Sequence, residues 1–184
     1  MKSTAVLILS LFLTSLILQA QDKYMTKVGH IGFYSKATME EIKADNNEVT
    51  SIVNIKTGEM AFVALMKSFK FNNALMEEHF NENYAESDKF PKAKFKGTIA
   101  GIAGIDHTKP GNYDVEVEGD LEIHGVTKHL TQKGSFEVKD GKIVANSKYT
   151  ILLKDFGMTI ESALSDKIAE SVEVSVDMSY ELIK

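Results

Sequence analysis

The chain has 184 residues, with 21 basic against 26 acidic side chains and a formal net charge of −5. It contains neither Cys nor Arg, which excludes disulfides, thiolate catalysis and thiolate-bound zinc. An acidic chain without the bidentate phosphate-gripping side chain is also a poor match to nucleic acid or to an anionic membrane surface.

Met1-Lys2 opens the chain with a positive charge, an uncharged and mostly apolar run follows from Ala5 to Leu18, and Ala20 supplies a small residue for cleavage. That order is expected of a secretory signal peptide over residues 1–20, leaving a single domain over 21–184 that begins at Gln21. The run of 14 residues is short of the ~20 that span a bilayer as a helix. No Cys follows it for lipid attachment, so the expected location is periplasmic or secreted.

Val28–Ser35, Glu40–Lys43, Val49–Lys56 and Met60–Ser68 read as the first strands. Asn73 to Phe80 then changes period: an Asn suited to an N-cap precedes Leu75, Met76 and Phe80 on one side of a short helix. Asn81 to Lys89 reads as a loop. Lys94–Ile99 returns to strand, and Tyr113 to Ile123 alternates apolar or small residues with polar, largely acidic ones. Such alternation sets one face on a core and the other in water. His124 to His129 is expected to connect strands. Gly134–Val138 and Ile143–Leu153 follow, joined through the hairpin signal Asp140-Gly141. The last strand, Val172 to Ile183, spans 12 residues, or ~40 Å if unbroken. Eight or nine strands of such length predict an all-β protein, a tall antiparallel barrel with one short helix. Gly97, Gly101, Gly119 and Gly134 on inward faces would leave volume inside it, or else mark bulges.

The five His are scattered without metal-ligand spacing, and His124 and His129 have the expectation of turn or rim histidines. Glu116, Glu118, Asp120 and Glu122 form a solvated stripe. No nucleophile elbow and no phosphate-cradling glycine loop occurs. No catalytic residue, metal ligand or cofactor is therefore assigned, and the chain is expected not to be an enzyme. Eight Met and ten Phe without any Trp suggest instead an adaptable apolar cavity. Its candidate lining from the strands is Phe33, Phe62, Met66, Phe71, Phe95, Ile99, Val117, Leu121, Phe136, Phe156, Met158 and Met178. Leu75, Met76 and Phe80 would form a lid.

Several stretches together resemble the YceI-like family of exported, lipocalin-like barrels. These are His30-Ile31-Gly32-Phe33, the segment Asp88 to Gly97 with Phe90-Pro91, the block Gly119 to Lys128, and Asp155-Phe156-Gly157-Met158. The resemblance implies an extended eight-stranded antiparallel barrel whose apolar channel binds a polyisoprenoid or similar long-chain lipid. Asn72-Asn73 stands where family members carry an Arg-Asp pair at the helix start. A pyrophosphate head group would then rely on Lys67, Lys70 or helix-terminal amides, and an uncharged quinone or fatty amide fits at least as well. Two other readings stand beside the carrier: a filled barrel acting through protein–protein contacts in the cell envelope, and a barrel enzyme using a rim histidine.

Overall fold

The computed structural model describes residues 22–106, 109–139 and 142–183. The expected leader, Gln21, His107 and the Asp140-Gly141 turn lie outside the described residues. Nine strands form in chain order: β1 (Lys23–Lys36), β2 (Glu41–Asn54), β3 (Glu59–Leu65), β4 (Lys70–Phe71), β5 (Lys92–Ala100), β6 (Gly111–Ile123), β7 (Val126–Lys139), β8 (Lys142–Leu152) and β9 (Ser171–Leu182). The sheet runs β1-β9-β8-β7-β6-β5-β3-β2, and β2 pairs back onto β1. Every pairing is antiparallel, so this is a closed eight-stranded barrel, with the two-residue β4 added on β2. Closure removes the free edges that would otherwise template aggregation.

β1, β2 and β7 are each markedly longer than the sequence suggests, β1 beginning already at Lys23. Asp45-Asn46-Asn47 reads as a break, yet β2 continues through it. Asn46 is fully buried: its amide donates to the Leu65 carbonyl at 2.9 Å, and its oxygen accepts from the Glu48 amide at 2.9 Å. The polar cluster is thus satisfied inside an irregular strand, where the β1–β2 register shifts around Gly29. β7 likewise runs from Val126, whereas Lys128 and Gln132 conceal its alternation. The connection from β6 is only His124-Gly125, with φ of 53° and 73°. Two positive φ values match the tight turn that follows strand twist, here without the usual Asn-Gly signal.

Met60–Ser68 does not stay a strand to its end. A 3₁₀ turn over Met66–Ser68 breaks it, and β4 resumes beyond. Helix α1 (Ala74–His79) starts as expected, with the Asn73 side chain accepting from the Leu75 amide at 2.9 Å. It continues as a π-helical turn over Phe80–Tyr84, where a loop is expected. Glu77 fixes the helix to β4 by accepting from the Lys70 ammonium at 2.7 Å and from the Phe71 amide at 3.3 Å.

One half of the barrel is filled. Val49, Val53, Ile99, Ile143, Met178 and Tyr180 are each at most 3% exposed. Ser51 donates to the Ala61 carbonyl at 2.9 Å, so the Tyr180 hydroxyl, 2.8 Å from Ser51 Oγ, donates to it. Burial pushes the Tyr180 phenol up to about 12. Gly97 and Gly119 face each other across β5 and β6, and the tip of the Phe95 ring lies 2.7 Å from where a Cβ would stand on either. These glycines admit a ring and do not leave open volume. Gly101 has φ 76° at a turn, and Gly134 backs onto the Asn146 carbonyl.

On the outer face His30 ties three strands together, 2.8 Å from Asp45 and 3.1 Å from Asp177. Burial alone would lower its pKa, but hydrogen bonds to the two carboxylates outweigh this and raise it above 6.5. The folded state therefore holds this proton more tightly than the unfolded chain. Its stabilisation is fully present below the unfolded pKa and is lost as pH rises through the raised folded value. His129, beside Asp120 and Glu118, shifts in the same direction. Denaturant unfolding should show stability falling as pH rises above the ordinary histidine value of about 6.5. His30→Gln should flatten that slope, leaving the part due to His129. A slope unchanged by His30→Gln contradicts the assignment.

Candidate functional site: an apolar cavity at one end of the barrel

The other half of the barrel holds a cavity of about 520 Å³, within the ~300–1,000 Å³ range of small-molecule sites. Ile31, Phe33 and Ser35 border it from β1, Phe62 and Ala64 from β3, Leu121 and Ile123 from β6, Tyr149 from β8, and Val172 and Val174 from β9. Each lies towards the same barrel end. Small side chains make the room: Ala64 and Ala93 pair directly across β3 and β5, and both border the cavity. Below them, Phe62 stacks on Phe95 with ring centroids 5.3 Å apart, forming the floor.

Helix α1 and its π turn lie at the mouth. Leu75, Met76 and Phe80 all border the cavity, but they differ in role. Leu75 is 56% exposed at the rim. Phe80 is half-buried in an aromatic cluster, 5.1 Å from Phe71, 5.6 Å from Phe33 and 5.9 Å from Phe69 between ring centroids. Opposite, the segment 157–170 contributes Met158, Ile160, Leu164 and Ile168. It is tied to the β1–β2 turn by the Met39 amide to the Asp166 carbonyl at 2.8 Å, and to the end of β1 by the Ala169 amide to Ser35 Oγ at 3.2 Å. The spacing of 160, 164 and 168 could have signalled this apolar face.

Of the candidate lining residues, Phe33, Phe62, Met66, Phe71, Leu75, Met76, Phe80, Leu121 and Met158 border the cavity. Phe95, Ile99, Val117, Phe136, Phe156 and Met178 do not. Phe95 lies beneath the floor. Ile99 and Met178 belong to the filled half, and Phe136 borders only a minute void near Ile55 and Val138. Phe156 is buried in a 3₁₀ turn after β8. Phe69, Ala93 and Tyr149 are the main lining residues that sequence reasoning missed.

Charge is confined to the rim: Glu40, His79 and Lys167 are the ionisable groups there apart from tyrosines. Lys67 and Lys70 do not border the cavity; they are ion-paired with Asp88 and Glu77. Tyr149 is different in kind. It borders the cavity and is partly buried, and burial pushes its phenol up to about 12. Tyr84 is also raised, by burial first and then by the Glu161 charge.

A latch holds the loop after the helix against the barrel. Among the described residues, Glu86 and His124 are the non-glycine residues with positive φ, and they meet at 2.7 Å. His124 also reaches the Phe156 carbonyl at 3.2 Å, and Phe90 sits 4.4 Å from the imidazole. His124 is therefore fully engaged in holding the turn. Among the described residues, no group of three or more His, Cys, Asp or Glu is placed to hold a metal ion.

The YceI-like domain model matches residues 17–180 of this chain. A UPF0312 protein of Pseudomonas fluorescens is 28% identical over 166 residues, which is 86% of this chain and 79% of that protein. One from Pseudomonas putida is 26% identical over 159 residues, covering 82% and 77%. Among solved structures, the fold is similar to a polyisoprenoid binding domain from Saccharophagus degradans implicated in plant cell wall breakdown. That match has a TM-score of 0.78 at 15% identity and covers 89% of this chain and 99% of that one. Burkholderia cenocepacia BcnA matches with a TM-score of 0.69 at 16% identity, over 82% and 95%. At such identities the structural likeness shows the fold; the match to the family model, which spans most of the sequence, shows that the chain belongs to the YceI-like family.

Proposed function

We propose that this protein is a non-catalytic carrier, exported to the periplasm or beyond, that holds the apolar part of a long-chain lipid in the open half of its barrel. A polyisoprenoid, a quinone or a fatty amide fits this description. The observation that carries the reading is the 520 Å³ cavity, walled by aliphatic and aromatic side chains and charged only at its rim. Each methylene transferred into it from water gains ~0.8 kcal/mol, so a chain of modest length offsets the cost of association. The polyisoprenoid binding described for the Saccharophagus degradans domain supports the same ligand class. Pairing of Lys67 and Lys70 with carboxylates favours an uncharged ligand over a pyrophosphate. Export rests on the leader pattern over residues 1–20, and the intact mass of protein from the envelope or medium tests it: retained leader residues contradict cleavage.

A cavity-filling variant tests the binding reading. Ala93→Phe puts a ring into the open space opposite Ala64. Displacement of a polarity-sensitive naphthalene dye by a long-chain alcohol should be tight in the wild type and at least about 10-fold weaker in the variant, with the fold retained. Equal displacement from both proteins contradicts a ligand in this cavity. The filled-barrel alternative describes only the half around Met178 and Tyr180.

A further inference from the structure

Of the described polar side chains that border the cavity from the barrel strands, Ser35 accepts from the Ala169 amide and Tyr149 has no partner. Phe33, Val174 and Tyr149 form one cross-strand row over β1, β9 and β8, and all three border the cavity. Phe33 in this row meets Phe80 of the helical cap, so Tyr149 stands inside the barrel and beneath the cap. The hydroxyls of Ser51 and Tyr180 in the filled half satisfy each other. The Tyr149 hydroxyl makes no hydrogen bond with any described residue. The hydroxyl is not sealed off, since no buried side-chain oxygen among the described residues lacks a partner; it opens to the cavity, where water or a ligand must supply the acceptor. The surrounding wall cannot: Ile31, Phe62, Leu121 and Val172 present only hydrocarbon.

We propose that Tyr149 is the polar anchor of the cavity, donating a hydrogen bond to an uncharged carbonyl oxygen on a ligand that enters polar end first. The inference rests on the carrier reading and narrows it to lipids with a ketone, quinone or amide carbonyl. Burial keeps the phenol protonated, with its pKa up to about 12, so it acts as a donor throughout the physiological range. A carboxylate or phosphate at this depth would be desolvated without a cation, since Lys167 borders only the mouth and is exposed to water. A carbonyl accepts the bond without carrying charge inside. The hydrocarbon chain then extends towards the apolar rim made by Leu75, Ile160 and Leu164.

Binding of decanone and of decane to the wild type and to Tyr149→Phe, each read by dye displacement, tests this. Loss of the hydroxyl should weaken decanone about 10-fold and leave decane within about twofold, because the ring still fills its place. Unchanged decane binding also shows that the variant is folded around an intact cavity. If the two ligands weaken equally, or neither weakens, Tyr149 is not an anchor although the cavity still binds lipid. If wild-type protein binds neither compound, the carrier reading itself fails, and the anchor with it.

Discussion

Phe80→Asp should release the helical cap and abolish ligand retention while the barrel stays folded. The Phe80 ring sits between 5.1 and 5.9 Å from those of Phe33, Phe69 and Phe71. A carboxylate in that cluster would have no cationic partner, at a cost of several kcal/mol. Helix α1 has six residues, far fewer than the ~12–15 at which a helix becomes marginal by itself in water. Undocking is therefore cheaper than burying the charge. The barrel should tolerate the loss, because its ladder closes through β1 and β2 without the helix. Hydrogen exchange over residues 74–84 should rise to that of open chain, with strand amides still protected. Leu75→Asp should be mild by comparison, since Leu75 is 56% exposed. Ligand kept by a Phe80→Asp protein with a freely exchanging helix would contradict a lid role.

Met178→Ala should have the opposite signature, a large loss of stability with binding preserved. Met178 is 1% exposed, and its sulfur occupies the space that a Cβ on Gly29 would need. Emptying that site costs ~2–5 kcal/mol, which for a domain of this size lowers Tm by roughly 5–15 °C. Met178 lies away from the cavity wall, so dye affinity in the cold should stay within about twofold of the wild type. A large loss of affinity together with unchanged stability would place the cavity in the wrong half.

The contrast between these two positions shows what a sequence can and cannot convey here. Period-two alternation identifies the inward face of β6 and β9, and the Asn73 cap announces the helix; both are local properties of the chain. Height inside the barrel is not local. Phe62 and Phe95 are both inward aromatic residues on neighbouring strands, yet one borders the cavity and the other lies under its floor. The two are direct cross-strand partners, so the stacking of one ring on the other separates them; for other pairs height follows strand register, set by bulges such as those near Gly29 and by a turn such as His124-Gly125. The same reasoning explains β2 and β7. Asn46 and Lys128 look like interruptions until the hydrogen bonds of one, and the barrel position of the other, are known. Tyr149 was equally hidden, because an inward tyrosine on β8 reads as core unless its hydroxyl is seen to lack a partner.

Native mass spectrometry of protein purified from its producing cells, before and after organic extraction, tests the central claim most directly. The account predicts an adduct of a single lipid mass on the wild type that extraction removes, that Ala93→Phe and Phe80→Asp lack, and that Met178→Ala keeps. Repeated recovery of bare protein from the wild type, together with failure of the extracted barrel to take up any added long-chain lipid, would contradict it.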